Sequence, residues 1–448
     1  MLPGFAMLCC AGILQGASSF DENWPQWRGP ENTGVAPKAD PPTEWSETRN
    51  VSWKVRIPGS GSATPVIWNN QVFVQTAVPT GKKIEPTAQA DSPPPPADQP
   101  GRRGRGGSGG GQKPTEVYQF VILSLDRATG KVLWQQTARE EVPHEGYRQG
   151  DGSFASASAL TDGEHVFAYF GSRGLYCYDM NGKLQWSRDF GDMRIALGFG
   201  EGSSPTLYKD TLIVNWDHEG DDFIVALNKA NGKEVWRQPR DERTSWSTPL
   251  VVEHEGKAQV VTDATGKIRS YDVVTGKLVW ECAGLTRNVI PSPVADKEMV
   301  YCTSGFQGSA LLAIRLGRSG DLTDSDAIAW RHSKSTPYVP SPLLYGDKLY
   351  VFASNNGVLS CFDARSGRVL IDAERLESLP GVYASPVGAG GRVYLVGRNG
   401  TTVVIKQSDK FEALATNHLD EKFDASPAIV GKELFLRGKE YLYCIAGQ

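Results

Sequence analysis

Short runs in which apolar and polar residues alternate recur along this chain, each broken within a few residues by Gly, Asn or Asp. Alternation with a period of two, punctuated by turn residues, predicts strands joined by tight turns. One half of the recurring unit is a Ser/Thr-Pro step followed by an apolar strand. It reads Thr64-Pro65, Ser204-Pro205, Thr248-Pro249, Ser292-Pro293, Ser341-Pro342, Ser385-Pro386 and Ser426-Pro427, with Ser158-Ala159 in the same slot. Val72, Val166, Leu212, Val300, Leu349, Val393 and Leu434 each follow such a slot at the same distance and open the next strand. The unit at Pro249 carries a longer turn.

The other half is a strand ending in Asp, a Gly-Lys turn and a strand ending in Trp, as in Leu125-Asp126…Gly130-Lys131-Val132-Leu133-Trp134. Trp186, Trp236 and Trp280 close similar units, Trp330 holds the place in the fifth, and Gly367-Arg368…Ile371 and Lys410…Leu414 are weaker copies. From position 159 onward the slots return about every 44 residues, which is the length of one four-stranded β-propeller blade. Eight slots predict an all-β, eight-bladed β-propeller of four-stranded antiparallel blades. The last unit lacks its outer strand, and the orphan strand near Trp53 (Asn50 to Lys54) is expected to supply it and close the ring. The propeller then spans 45–448, preceded by a segment 20–44. A Pro/Gly/Arg-rich stretch, 79–115, too poor in apolar residues to build a core, is expected as a disordered insertion in the first blade.

This Leu-x-x-Asp…Gly-Lys-x-x-Trp unit resembles the pyrroloquinoline-quinone (PQQ) repeat over nearly the whole chain. Eight-bladed relatives of that kind include the quinoprotein alcohol and glucose dehydrogenases and the BamB-type scaffold of outer-membrane assembly. The opening Trp24-Pro25-Gln26-Trp27-Arg28-Gly29-Pro30 is similar to the start of secreted PQQ-like propellers of planctomycete bacteria. The resemblance implies that Trp53, Trp134, Trp186, Trp236, Trp280 and Trp330 dock structurally between blades. It does not carry the dehydrogenase site over. The adjacent cysteines that lie against PQQ in the alcohol dehydrogenases have their one counterpart in Cys9-Cys10, within the leader. The Ca²⁺-binding Glu, Asn and Asp find no matching positions, and no Cys-x-x-Cys-His haem motif is present.

Composition narrows the classes further. Forty-seven basic against 51 acidic residues give a net charge of −4, against a chain built to grip nucleic acid. Phe5 to Ala17 is an apolar run of leader length, so 1–19 reads as a signal peptide and the mature chain as periplasmic or secreted, without a lipobox. No stretch is long enough to span a membrane. Cys177, Cys282, Cys302, Cys361 and Cys444 remain, without zinc-site spacing, and are expected as buried free thiols with no metal.

Ligands of such rings sit in the axial funnel, so the loops entering each blade and the turns within blades supply the candidates. These are Arg194, Glu201, Asp217, His218, Arg243, Trp246, Arg287, Tyr338, Asn355, Tyr383, Arg398 and Asp424, with Asp263 and Arg437 at the same level. Arginine, aromatic and amide groups around a pore suit a planar, carboxylated or carbohydrate ligand; the alternative is that they satisfy loop backbones. No nucleophile elbow or phosphate loop accompanies them. The expected function is an exported, monomeric, non-catalytic propeller binding an envelope protein, a small molecule or a carbohydrate at its funnel face or blade edges, with no cofactor. The alternative is an oxidoreductase with a divergent PQQ and Ca²⁺ site.

Overall fold

The computed structural model describes residues 20–84 and 113–447. Residues 1–19, expected as a signal peptide, and the centre of the first-blade insertion lie outside the described residues. Eight antiparallel sheets follow one another along the chain, each led by one of the repeated Ser/Thr slots. Blade 1 consists of Val66–Trp68, Gln71–Lys83, Glu116–Asp126 and Val132–Glu141. Its second strand runs on into the expected insertion, with Pro79 opposite Tyr118 and Lys83 opposite Glu116, so 79–83 is sheet rather than loop.

The last blade combines Ala428–Val430, Glu433–Arg437 and Tyr441–Ala446 with Val51–Arg56 from the other end of the chain. Trp53 lies opposite Cys444 and Arg56 opposite Tyr441, so the N-terminal strand closes the ring. At the axis the eight entry residues bond to one another in sequence. The backbone N–H of Thr64 donates to Ser158 Oγ at 2.9 Å, Ser158 to Ser204, Ser204 to Thr248, and so on through Ser292, Ser341 and Ser385 to Ser426. Thr64 Oγ1 closes the circle by donating to the Ser426 carbonyl at 3.0 Å. Each bond satisfies a buried N–H that has no strand partner at the crowded centre.

Between blades, the Trp rings do the joining. The indole N–H of Trp53, Trp134, Trp186, Trp236 and Trp330 each donates to a carbonyl of the next blade, at Arg127, Met180, Lys229, Val273 and Ala364. The ring lies on the glycine of that blade's turn. Gly276, at φ +71°, leaves space for Trp236 that a Cβ would fill at 2.6 Å. Trp280 departs from the expectation: its N–H donates to Gln259 Oε1 within its own blade, Lys257–Thr262 being the strand that carries Gln259. Blade 5 has no Gly-Lys turn to receive it, because residues 316–327 cross over instead. Gly320–Asp321 within that crossover pairs in parallel with Leu278–Ala283 and covers blade 4's outer edge, while Leu316 and Leu322 bury the indole.

The segment around Trp24 to Ala36 threads the centre of the ring. Trp24 exchanges both backbone hydrogen bonds with Ile67, Thr161 N–H donates to the Pro25 carbonyl, Leu344 N–H to Thr33, and Gly388 bonds Gly34 and Ala36. The inner strands of blades 1, 2, 6 and 7 thereby gain partners on edges that face the axis. Arg28, 2% exposed, donates to the carbonyls of Pro342 at 2.7 Å and Pro386 at 3.1 Å. Gly34 has φ +88°, and a Cβ there would fall on the Arg28 guanidinium.

Two stability outcomes follow from this packing. Trp236→Ala is expected to lower the unfolding free energy by about 3–5 kcal/mol in a denaturant titration, as for other buried large aromatics. Ser292→Ala strands the Thr248 N–H and costs about 1–3 kcal/mol, whereas Ser292→Thr, which restores the hydroxyl found at Thr64 and Thr248, stays near wild type. Equal losses for the two Ser292 variants would refute the ring's role.

Candidate functional site

The entry loops and the turns between second and third strands gather at one end of the ring, and the serine ring and the N-terminal segment lie below them. Between these levels is an axial cavity of about 200 Å³. Trp27, projecting from the threaded segment, forms its floor with the ring hydroxyls of Ser158, Ser204, Ser385 and Ser426. Phe199, Trp246, Tyr338 and Tyr383 contribute aromatic walls. The Trp246 indole is held by its N–H on the Gly200 carbonyl at 2.6 Å, and Tyr338 is braced against Phe306 with ring centroids 5.0 Å apart.

The two longest entry loops, into blades 2 and 3, roof this cavity. Arg398 of blade 7 fixes the first of them from across the ring. It pairs with Asp424 at 2.6 and 3.1 Å, with Asp151 at 3.0 Å and with the Gly150 carbonyl at 2.6 Å. Its guanidinium also lies 3.8 Å over the Tyr383 ring. Arg148 pairs with the other oxygen of Asp151 at 3.0 Å. Burial, together with the Asp151 charge, pushes the Tyr383 phenol up to about 12. Glu201 accepts the Ser172 N–H at 2.8 Å and its hydroxyl, and burial raises its pKa. The cationic groups at the mouth are therefore already engaged by carboxylates.

Of the twelve funnel candidates, Glu201, Trp246, Tyr338, Tyr383 and Asp424 line the cavity, and Arg398 stands behind two of them. The other six lie elsewhere. Arg194, Arg243 and Arg287 are exposed outside it. The Asn355 side chain accepts the Val339 N–H at 3.0 Å. Asp217 is buried against Arg240 at 2.6 Å, both side chains at 0% exposure, and takes a hydrogen bond from Ser245. His218 accepts the Arg194 N–H, Glu219 the Thr244 N–H and hydroxyl, and Asp222 the Glu242 N–H. The acidic run 217–222 is thus a clasp that holds the entry loops of blades 3 and 4. Asp162, Glu164 and His165 bring three ligand atoms within 4.8 Å of one another, but the Lys229 ammonium sits 2.9 Å from Asp162.

Sequence reasoning passed over Trp27 and Asp151. Trp27 belongs to no blade repeat, and its role depends on the threading of 24–36. Asp151 had a legible signal in the unusual length of its loop.

Comparison with known proteins places this ring. The family model described as outer membrane protein assembly factor BamB, a PQQ-repeat family, matches residues 119–372, more than half of the chain. The chain belongs to this family. Among solved structures, BamB from Moraxella catarrhalis is similar at 15% identity and a TM-score of 0.52, over 72% of this chain and 91% of that one. A europium-containing methanol dehydrogenase is similar at 10% identity and a TM-score of 0.60, over 95% of this chain and 99% of the other. The quinohemoprotein alcohol dehydrogenase from Comamonas testosteroni gives 10% identity and 0.57, over 96% and 81%. Identities this low establish a shared fold. Comparison with curated protein sequences gives no significant match.

The dehydrogenase neighbours make PQQ the cofactor to test against these residues, and the residues do not fit it. PQQ is a flat fused tricycle with three carboxylates. The cavity is smaller than the roughly 300 Å³ at which pockets for drug-sized ligands begin. Arg148 in its wall and Arg398 behind it are committed to Asp151 and Asp424, and Asp151, Asp424 and Glu201 would face the added anions. The five described cysteines are buried free thiols in separate strands, and burial raises the Cys177 thiol to about 12.

Asp263 and Arg437 hold the same register position in opposite blades, fully inside the ring and outside the cavity. Neither has an ion-pair partner among the described residues. Burial pushes the Asp263 carboxyl from its ordinary 3.8 up to about 7. The folded protein therefore keeps a proton that the unfolded chain releases near pH 4, and stability falls as pH rises from about 4 to about 7, then levels off. The loss is on the order of 4 kcal/mol. Asp263→Asn, compared with wild type by urea unfolding at pH 4.5 and 7.5, is expected to lack this loss. An unchanged pH dependence would show that the carboxyl is not held neutral.

Proposed function

We propose that this chain is a non-catalytic binding propeller of the cell envelope that seats a ligand in its axial cavity. The observation that carries the reading is the cavity itself: it is closed below by the threaded segment, lined by aromatic side chains and serines, and the arginines at its mouth are already paired with carboxylates. The only histidine near its level that sequence analysis singled out, His218, is spent on a loop N–H. A rigid ring with preformed loops binds without reorganising, which suits recognition rather than a chemical step.

Membership in a family described as an assembly factor supports a binding role, and the leader-like run in the first nineteen residues supports export. No helix among the described residues is long and apolar enough to cross a membrane. The envelope proteins such a module would serve are engaged through the loop face around the mouth or along exposed blade edges, where strand addition is available.

The test is a calorimetric titration of the mature protein with PQQ, with and without Ca²⁺, followed by an assay of alcohol-dependent dye reduction. Neither saturable heat nor dye reduction is expected. Tight binding at one site, or turnover, would replace this reading with a quinoprotein oxidoreductase.

A further inference from the structure

The axial cavity also indicates what kind of ligand it takes, an inference that rests on the binding role proposed above. Each hydroxyl of the serine ring accepts the N–H of the preceding blade. The protons of Ser158, Ser204, Ser385 and Ser426 have no acceptor among the described residues. These side chains are at most 5% exposed and line the cavity. Four buried hydroxyls thus border one small space together with the Trp27 indole.

We infer that the cavity seats one ring of a neutral saccharide, its apolar face on Trp27 and its hydroxyl rim bonded to the serine ring. A sugar hydroxyl both accepts and donates, so it can take the unused serine protons and donate outward to Asp151 or Asp424. A purely aromatic ligand would leave the serine protons unpaired at a cost of about 1–3 kcal/mol each. An anionic ligand would have to break the Arg398–Asp424 or Arg148–Asp151 pairs to gain a cation. A volume near 200 Å³ admits a single ring, with the rest of a chain leaving through the mouth.

The experiment titrates the mature protein with tetrasaccharides of glucose, xylose and N-acetylglucosamine, and with tetragalacturonate as the anionic counterpart. Tryptophan fluorescence and heat are recorded. At least one neutral sugar is expected to bind with a Kd below about 1 mM, more tightly than tetragalacturonate. Trp27→Ala weakens it by about tenfold and Trp27→Phe restores most of the affinity. Tyr338→Ala, on a different element, reads the same site if Trp27→Ala does not fold, and Arg243→Ala, outside the cavity, binds as wild type. No neutral binding up to about 10 mM, tighter binding of the anionic sugar, or affinity indifferent to both Trp27 and Tyr338 would each overturn the inference. Those results leave the binding role standing if PQQ does not bind, whereas PQQ binding removes both.

Discussion

At the centre of a ring of blades, eight chain segments converge where no sheet can pair them, and their amide hydrogens must still find acceptors. Here the acceptor is the hydroxyl of the next blade's entry residue, repeated until Thr64 meets Ser426. The arrangement sets the spacing of the inner strands, fixes which face of each blade meets its neighbour, and makes the floor of the cavity from the same atoms that hold the ring together. The proline that follows is secondary. Ser158 is followed by Ala159 and still accepts from Thr64 and donates to Ser204 as its counterparts do.

Much of this was legible because repetition exposes constraint. A hydroxyl residue recurring every 44 or so positions marks an obligatory partner, and a Trp after each Gly-Lys turn marks a docking surface. Strand order and ring closure followed from counting units and noticing a strand without a blade. Trp280 escaped that logic. Its sequence context matches the other units, and the difference lies in the following blade, where a crossover replaces the glycine turn. A repeat motif describes a residue's own blade and is silent about what the neighbour presents.

The site was less legible, since a loop residue's sequence position fixes its level on the ring but not its direction. Arg243 and Tyr383 both stand in entry loops, yet one is exposed outside the cavity while the other lines it. Within the acidic run 217–222, Glu219 and Asp222 accept loop amides while Asp217 pairs with Arg240. Trp27 lay outside every repeat, and only the hydrogen bonds of 24–36 to four blades bring it to the axis.

The same piece imposes an order on how the molecule is made. Arg28 must reach the carbonyls of Pro342 and Pro386, and Val51–Arg56 must pair with Tyr441–Ala446. These early segments are therefore among the last to find their places, and their contacts span most of the chain length, which slows folding. Until the final strand is released, blade 1 has no neighbour on one side and the centre of the ring has no stopper. A polypeptide of this design stays an open arc throughout its synthesis, and the ring locks only when its two ends are both free to meet.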